Sequence, residues 1–160
     1  MKEEREQARI LIIDDEETVR KSLAAVLEDE GYLVDIAENG KEAIQKSKAK
    51  IYNLALVDLR LPDMDGIELL TAMRDTTPKM VKIIITGYPS LENAIEAVNR
   101  GADGYMVKPY GMEKLLDTVK EHLQRQREEE RFSEEKVKDF IERRAEEYES
   151  RASAKHRSKK

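Results

Sequence analysis

Five side chains in this 160-residue sequence have the types and the spacing to do chemistry together: Asp14, Asp15, Asp58, Thr86 and Lys108. Asp58 directly follows the apolar run Leu54-Ala55-Leu56-Val57, and a loop containing Pro62 and Gly66 comes after it. Asp14 and Asp15 follow Ile10-Leu11-Ile12-Ile13. Thr86 follows Val81-Lys82-Ile83-Ile84-Ile85, and Lys108 follows Gly104-Tyr105-Met106-Val107. Carboxylates brought close together repel, and one takes up a proton unless a cation lies between them. A hard divalent ion with oxygen ligands removes that conflict, and Mg²⁺ suits two or three carboxylates plus a substrate phosphate. Asp58 then stays ionised and can attack as a nucleophile, as in aspartyl-phosphate chemistry. The ammonium of Lys108 and the hydroxyl of Thr86 are groups that offset charge on a transferred phosphoryl group. Each residue also has a plain structural reading: acids favour a helix N-terminus, threonine suits a strand, and lysine suits a wet surface.

The elements that must position these residues are legible as an alternation. Apolar runs over Arg9–Ile13, Tyr32–Ala37, Asn53–Val57, Val81–Ile85 and Gly104–Val107 predict five strands. The run before Asp58 has no polar residue at every second place, so it reads as a strand buried on both faces of a parallel sheet. Helical spacing follows each strand: Val19, Leu23, Val26 and Leu27; Ala43, Ile44 and Ser47; Ile67, Leu70 and Met73; Leu91, Ala94, Ile95 and Val98; and Leu115, Leu116, Val119 and Leu123. Gly31 and Gly101 read as helix stops, Asn39-Gly40 as a turn, Ser90 as an N-cap and Thr77-Pro78 as the end of the third helix. Five strands alternating with five helices predict an α/β fold, a doubly wound five-stranded parallel sheet of order 2-1-3-4-5. In that order the strands bearing the five residues are neighbours, and their carboxyl ends share one edge, where such sheets bind ligands.

Composition narrows the partners. Residues 1–123 carry a net charge of −7 within a chain of net −5, which disfavours nucleic acid as a direct partner. There is no cysteine, hence no disulfide or thiolate metal site. No stretch approaches the ~18 apolar residues of a membrane span, and Ile10–Ile13 is too short for a signal peptide. No membrane contact and a cytoplasmic location are expected.

At this point the chain resembles the receiver domains of two-component response regulators, with a flavodoxin-like, chemotaxis-regulator-like fold. The matching segments are Ile12-Ile13-Asp14-Asp15-Glu16, Leu56-Val57-Asp58 through Asp65-Gly66, Ile85-Thr86-Gly87-Tyr88, and Gly101 through Lys108-Pro109. They cover residues 9 to about 123. The resemblance implies that a histidine kinase phosphorylates Asp58. It implies that Asp15 and Asp58 ligate Mg²⁺ directly, Asp14 directly or through water, and the backbone carbonyl of Arg60 completes the set. Thr86 is implied to donate its hydroxyl to the phosphoryl group, Lys108 to pair with it, and Tyr105 to be an aromatic switch that turns inward when Thr86 moves. Lys108-Pro109 is implied to be a cis peptide, and the face of the fourth helix, fifth strand and fifth helix is the implied readout. Thr86-Gly87-Tyr88-Pro89-Ser90 is similar to receivers of the nitrogen-regulator type, which usually precede an ATPase and a DNA-binding domain. Neither is expected after residue 123. The resemblance implies a phosphorylated switch, not an enzyme that turns over.

Other readings stay open on the residues alone. Asp63-Met64-Asp65-Gly66 is superficially like an aspartate-nucleophile phosphatase or phosphotransferase signature, although Asp58, not Asp63, ends the buried strand. A flavin-mononucleotide-binding flavodoxin needs a phosphate loop where Asp14–Glu17 would repel phosphate. A calcium loop needs a later glutamate than Glu68.

Residues 124–160 lie outside the match. They are expected to form a charged helical extension and basic tail, with no recognisable output domain. Ser133 with Glu134 and Glu135 reads as a helix start, and Val137, Phe140, Ile141, Ala145 and Tyr148 form an apolar stripe. Alternatively, the fifth helix continues and the stripe packs on a second copy, giving a homodimer, or on a downstream protein partner. Arg151–Lys160 is expected to fray.

Overall fold

The computed structural model describes residues 7–73, 75–76 and 78–158. Strands and helices alternate: β1 (Arg9–Ile13), α1 (Glu17–Asp29), β2 (Leu33–Ala37), α2 (Gly40–Ala49), β3 (Leu54–Asp58), α3 (Gly66–Ala72), β4 (Val81–Thr86), α4 (Leu91–Asn99), β5 (Gly104–Val107) and α5 (Met112–Ser158). The strands pair in parallel in the order β2-β1-β3-β4-β5, the topology that the alternation predicts.

Successive side chains of a strand point to opposite faces, which sorts the core into two layers. Leu11, Ile13, Ala55, Val57 and Ile84 pack with Ala43 of α2, Ile67 and Leu70 of α3 and Ala97 of α4. Ile10, Ile12, Leu54, Leu56, Ile83 and Ile85 pack with Leu23 and Leu27 of α1 and with Leu115, Val119 and Leu123 of α5. Each fully buried Leu or Ile contributes roughly 1.5–3 kcal/mol. A sheet covered on both faces presents its strand ends as the edge on which polar residues can gather.

Helix ends follow local chemistry. Gly31 and Gly101 adopt φ of 97° and 98°, conformations that disfavour any residue with a Cβ, and they stop α1 and α4. Asn39 and Ser90 each accept a hydrogen bond from the third residue onward, capping α2 and α4. Asp65 accepts from the Ile67 amide and caps α3.

Several expected boundaries move. Tyr32 and Asn53 lie just outside their strands, and β3 extends to include Asp58. The third helix ends at Ala72, ahead of Pro78; Thr77 lies outside the described residues. Its early end has a cause: the buried Lys82 of β4 donates its ammonium to the Leu70 carbonyl at 2.6 Å, replacing the next turn of helix.

Contacts divide the chain into two units, Met1–Gln124 and Arg125–Lys160. In the second unit α5 is continuous, so Ser133 is a helix interior and not an N-cap, and Arg151–Ser158 are helical where fraying was expected. Lys159 and Lys160 lie outside the described residues. A serine followed by two acids is a start signal only where the preceding turn is not already helical, and here it is. Phe132, Val137, Phe140, Ile141 and Tyr148 are exposed on this helix, and Lys136 and Arg144 cover the rings of Phe132 and Phe140 at 5.0 and 5.4 Å. Among the described residues no helix is long and apolar enough to cross a membrane.

Candidate functional site

Register brings the acids together. Ile13 pairs with Val57, so Asp14 and Asp58 leave adjacent strands side by side; Asp58 pairs with Ile85, and Thr86 with Val107. The carboxylate oxygens of Asp14, Asp15 and Asp58 lie within 4.8 Å of one another. Asp14 is buried, Asp15 exposed and Asp58 in between.

Each acid is held by its own loop. The Glu16 amide donates to Asp14 Oδ1 at 2.9 Å, leaving Oδ2 to face Lys108. The Arg60 amide donates to Asp58 Oδ1 at 3.3 Å, so the backbone of Arg60 folds back against that acid. Gly66 is required here: a Cβ on it would stand 2.3 Å from the Asp58 carbonyl oxygen. The Lys108–Pro109 peptide bond is cis, as the resemblance implies. Its ammonium lies 3.4 Å from Asp14 Oδ2 and 3.8 Å from Asp58 Oδ2, bridging two of the three acids.

The electrostatics show an excess of negative charge. Burial, reinforced by the Asp14 charge, pushes the Asp58 carboxyl up to about 6, against the opposing pull of Lys108 and the Arg60 amide. Burial alone would lower the Lys108 ammonium, but Asp14 and Asp58 outweigh it and hold it above its ordinary value. One ammonium therefore does not neutralise three carboxylates. An all-oxygen donor set with surplus negative charge fits a hard divalent cation such as Mg²⁺.

Thr86 is buried, and its Oγ1 accepts the Tyr88 amide at 2.9 Å, a turn that leaves the hydroxyl proton available for another acceptor. Tyr88 in turn lies under the Arg60 guanidinium. Tyr105 packs against the layer formed by α2, α3 and α4, and its hydroxyl is buried without a hydrogen-bond partner among the described residues. The structure thus brings Asp14, Asp15, Asp58, Thr86, Lys108 and the backbone of Arg60 to one edge, while Tyr105 stands on the neighbouring strand β5.

Other contributors are not evident from strand ends. Arg20 of α1 is buried and donates to the Asp14 carbonyl at 2.7 Å. Asp63, which in sequence looks like part of a phosphatase-type signature, lies in the loop after β3 and reaches instead to α2, accepting from Gly40 and Lys41.

Residues 10–120 match the family described as response regulator receiver domain. Over 118 residues the chain is 39% identical to the transcriptional regulatory protein ZraR of Klebsiella oxytoca, a match covering 74% of this chain and 27% of that protein. The chain spans about a quarter to a half of the length of the curated relatives it matches. A solved CheY-like response regulator receiver domain protein from Methanospirillum hungatei JF-1 is 44% identical, with a TM-score of 0.74, covering 78% of this chain and 99% of that one. A response regulator protein from Burkholderia pseudomallei, solved with a phosphorylated aspartic acid, a calcium ion and citrate, is 34% identical. Its TM-score is 0.67, over 78% of this chain and 73% of that one.

Proposed function

The chain belongs to the response regulator receiver domain family of two-component signalling, and on that premise we propose that Asp58 accepts a phosphoryl group from a histidine kinase in a Mg²⁺-dependent reaction. The observation that carries this reading is the position of Asp58 at the end of the central strand, with Asp14 and Asp15 within 4.8 Å and the Lys108 ammonium at 3.8 Å.

The chain's residues divide the work. Asp14, Asp15, Asp58 and the Arg60 carbonyl would hold the ion, which when bound would neutralise the acids and offset charge on the phosphoryl oxygens. An Asp58 carboxylate oxygen forms the new bond to phosphorus as the phosphorus–nitrogen bond to the donor imidazole breaks. Lys108 turns from its two acid partners toward the new anion, and Thr86 donates its hydroxyl to it. That movement gives up the Tyr88 amide bond and is relayed to Tyr105. The signal then leaves through the surface of α4, β5 and the part of α5 before Gln124.

On this reading the receiver occupies residues 1–123, and 124–160 is a helical extension. The protein is a switch that catalyses its own phosphorylation and dephosphorylation, not an enzyme with steady turnover. It works in the cytoplasm with a cognate histidine kinase, and the apolar stripe beyond residue 124 is offered either to a second copy of the chain or to a downstream protein partner; neither nucleic acid nor a membrane is an expected partner.

The test is incorporation of acid-labile phosphate from a small phosphodonor with Mg²⁺. We expect about one phosphoryl group per chain, slowly lost, and none in Asp58→Asn. Stoichiometric labelling of Asp58→Asn, or continuous turnover of a phosphomonoester by the parent, would overturn the reading.

A further inference from the structure

The junction of β2 and α2, residues 37–41, carries none of the residues assigned above, yet both acid-bearing loops are fastened to it. On one side stands the loop after β3. Asp63 Oδ1 accepts the Gly40 amide at 2.8 Å and Oδ2 accepts the Lys41 amide at 2.9 Å. These are the first two amides of α2; the third, of Glu42, is already taken by Asn39. A Cβ on Gly40 would meet Met64 Sδ at 2.4 Å, so the loop presses directly on the start of the helix. On the other side stands the loop after β1. The Asp14 amide donates to the Ala37 carbonyl at 3.1 Å, and buried Arg20 spans from the Asp14 carbonyl to Glu38, 2.7 and 3.9 Å away.

The loop after β3 is bonded to itself along its length. Leu61 donates to the Met64 carbonyl, Arg60 bridges Asp65, and the Gly66 amide donates to the Leu59 carbonyl at 2.7 Å. Whatever fixes Asp63 therefore fixes Arg60, whose carbonyl is assigned to the ion. A carboxylate is well matched to this anchor, because two free amides and the positive end of a helix meet it. Those amides also hold the Asp63 carboxyl below its usual range, so it remains a charged acceptor.

We propose that Asp63 is a positioning residue: it locks the loop carrying Arg60 to the start of α2, and with Arg20 it sets the spacing of the two loops that hold the ion. The proposal rests on the phosphoacceptor reading above. A cap serving α2 alone would not need to come from a residue 23 positions away, since Asn39 is in place. Removing Asp63 leaves no buried charge behind, because the residue is exposed, so the variants are expected to fold.

The experiment is a calorimetric Mg²⁺ titration of the full chain, of Asp63→Ala and of Asp63→Asn. Urea denaturation and exchange of the Gly40 and Lys41 amides are followed in parallel. Groups that orient a metal's ligands are worth roughly ten- to a hundredfold in affinity. We expect Asp63→Ala to bind Mg²⁺ about tenfold more weakly, and Asp63→Asn, which keeps one acceptor, to fall between it and the parent. Saturating Mg²⁺ should restore the parent phosphorylation rate, so the defect lies in half-saturation and not in the limiting rate. Parent-like Mg²⁺ affinity in both variants, with faster exchange at Gly40 and Lys41, would show a helix cap only and overturn the proposal. Absence of Mg²⁺ binding by the parent chain would overturn it together with the phosphoacceptor reading.

Discussion

The guanidinium carbon of Arg60 stands 3.9 Å from the centre of the Tyr88 ring, joining the loop after β3 to the loop after β4 across the mouth of the site. Beside it Gly87 keeps the approach open, since a Cβ there would meet only the aliphatic stem of Lys108 at 4.0 Å. On the phosphoacceptor reading, the space at Gly87 would admit a donor imidazole, and the stacked pair is expected to screen the phosphorylated Asp58 from water. A cation–ring contact at an exposed site is worth about 0.5–1 kcal/mol. We expect Tyr88→Ala to lose its phosphoryl group about two to five times faster than the parent, followed as decay of acid-labile phosphate. An unchanged decay would remove the screening role.

In the metal-free protein the raised Asp58 carboxyl makes stability fall with rising pH. Its folded value, about 6, lies above the ordinary 3.8. Below the ordinary value both states are protonated and the folded state carries no penalty. As pH rises through about 6 the buried charge appears and stability falls, by a total on the order of 3 kcal/mol. Asp58→Asn should therefore melt higher than the parent at pH 7 without Mg²⁺, with the gain shrinking towards pH 4. Mg²⁺ should raise the parent's melting temperature more at pH 7 than at pH 5. A gain from Asp58→Asn that is independent of pH would contradict this account.

Two glycines near the site differ in what they exclude. At Gly66 an added Cβ meets backbone, 2.3 Å from the Asp58 carbonyl oxygen; at Gly40 it meets the flexible end of Met64. Gly66→Ala is expected to cost about 3 kcal/mol or more and Gly40→Ala about 1 kcal/mol, both from urea denaturation. Equal costs would show that the β3–α3 loop yields as easily as a methionine side chain.

The five chemical residues were legible because each ends an apolar run, and a parallel sheet delivers such ends to one edge. Tyr105 was legible only through the family resemblance: nothing in Gly104–Val107 separates it from an ordinary strand residue. Lys82 was hidden within an apolar strand, because the carbonyl that satisfies it belongs to α3, and that same contact sets where α3 ends. Asp63 and Arg20 were hidden for a similar reason. Their partners are backbone groups of other loops, and no spacing in the sequence records them. The continuation of α5 through Ser133 turned on whether Gln124–Arg131 is helical, and its charged residues are good helix formers with no stop signal.

The exposed stripe of Val137, Phe140, Ile141 and Tyr148 bears on the homodimer. Solution mass of the full chain and of a version ending at Gln124, each with and without a phosphoryl mimic, checks it. We expect a dimer that requires residues 125–160. A monomer in all four conditions would leave the stripe to a different partner.

Coupling of Thr86 to Tyr105 is expected to appear as amide shift changes at Tyr88, Tyr105 and the α4–β5 surface when the mimic binds. Moving from mostly inactive to mostly active takes roughly 10⁴-fold preference, about 5.5 kcal/mol. Two or three charge-assisted hydrogen bonds at about 1.5–3 kcal/mol each supply it. Shifts confined to the acidic edge would contradict the relay.

The Tyr105 hydroxyl, buried without a hydrogen-bond partner among the described residues, makes the inward ring a compromise. Swinging outward returns about 1–3 kcal/mol of lost solvation to that oxygen, and it exposes an aromatic face whose burial is worth a similar amount. The unpaired oxygen thus offsets part of what burial of the ring contributes, so the inward placement is held less firmly than that of a phenylalanine would be. Tyr105→Phe removes that counterweight and holds the ring inward, so the same phosphoryl group would gain less contrast between its off and on states.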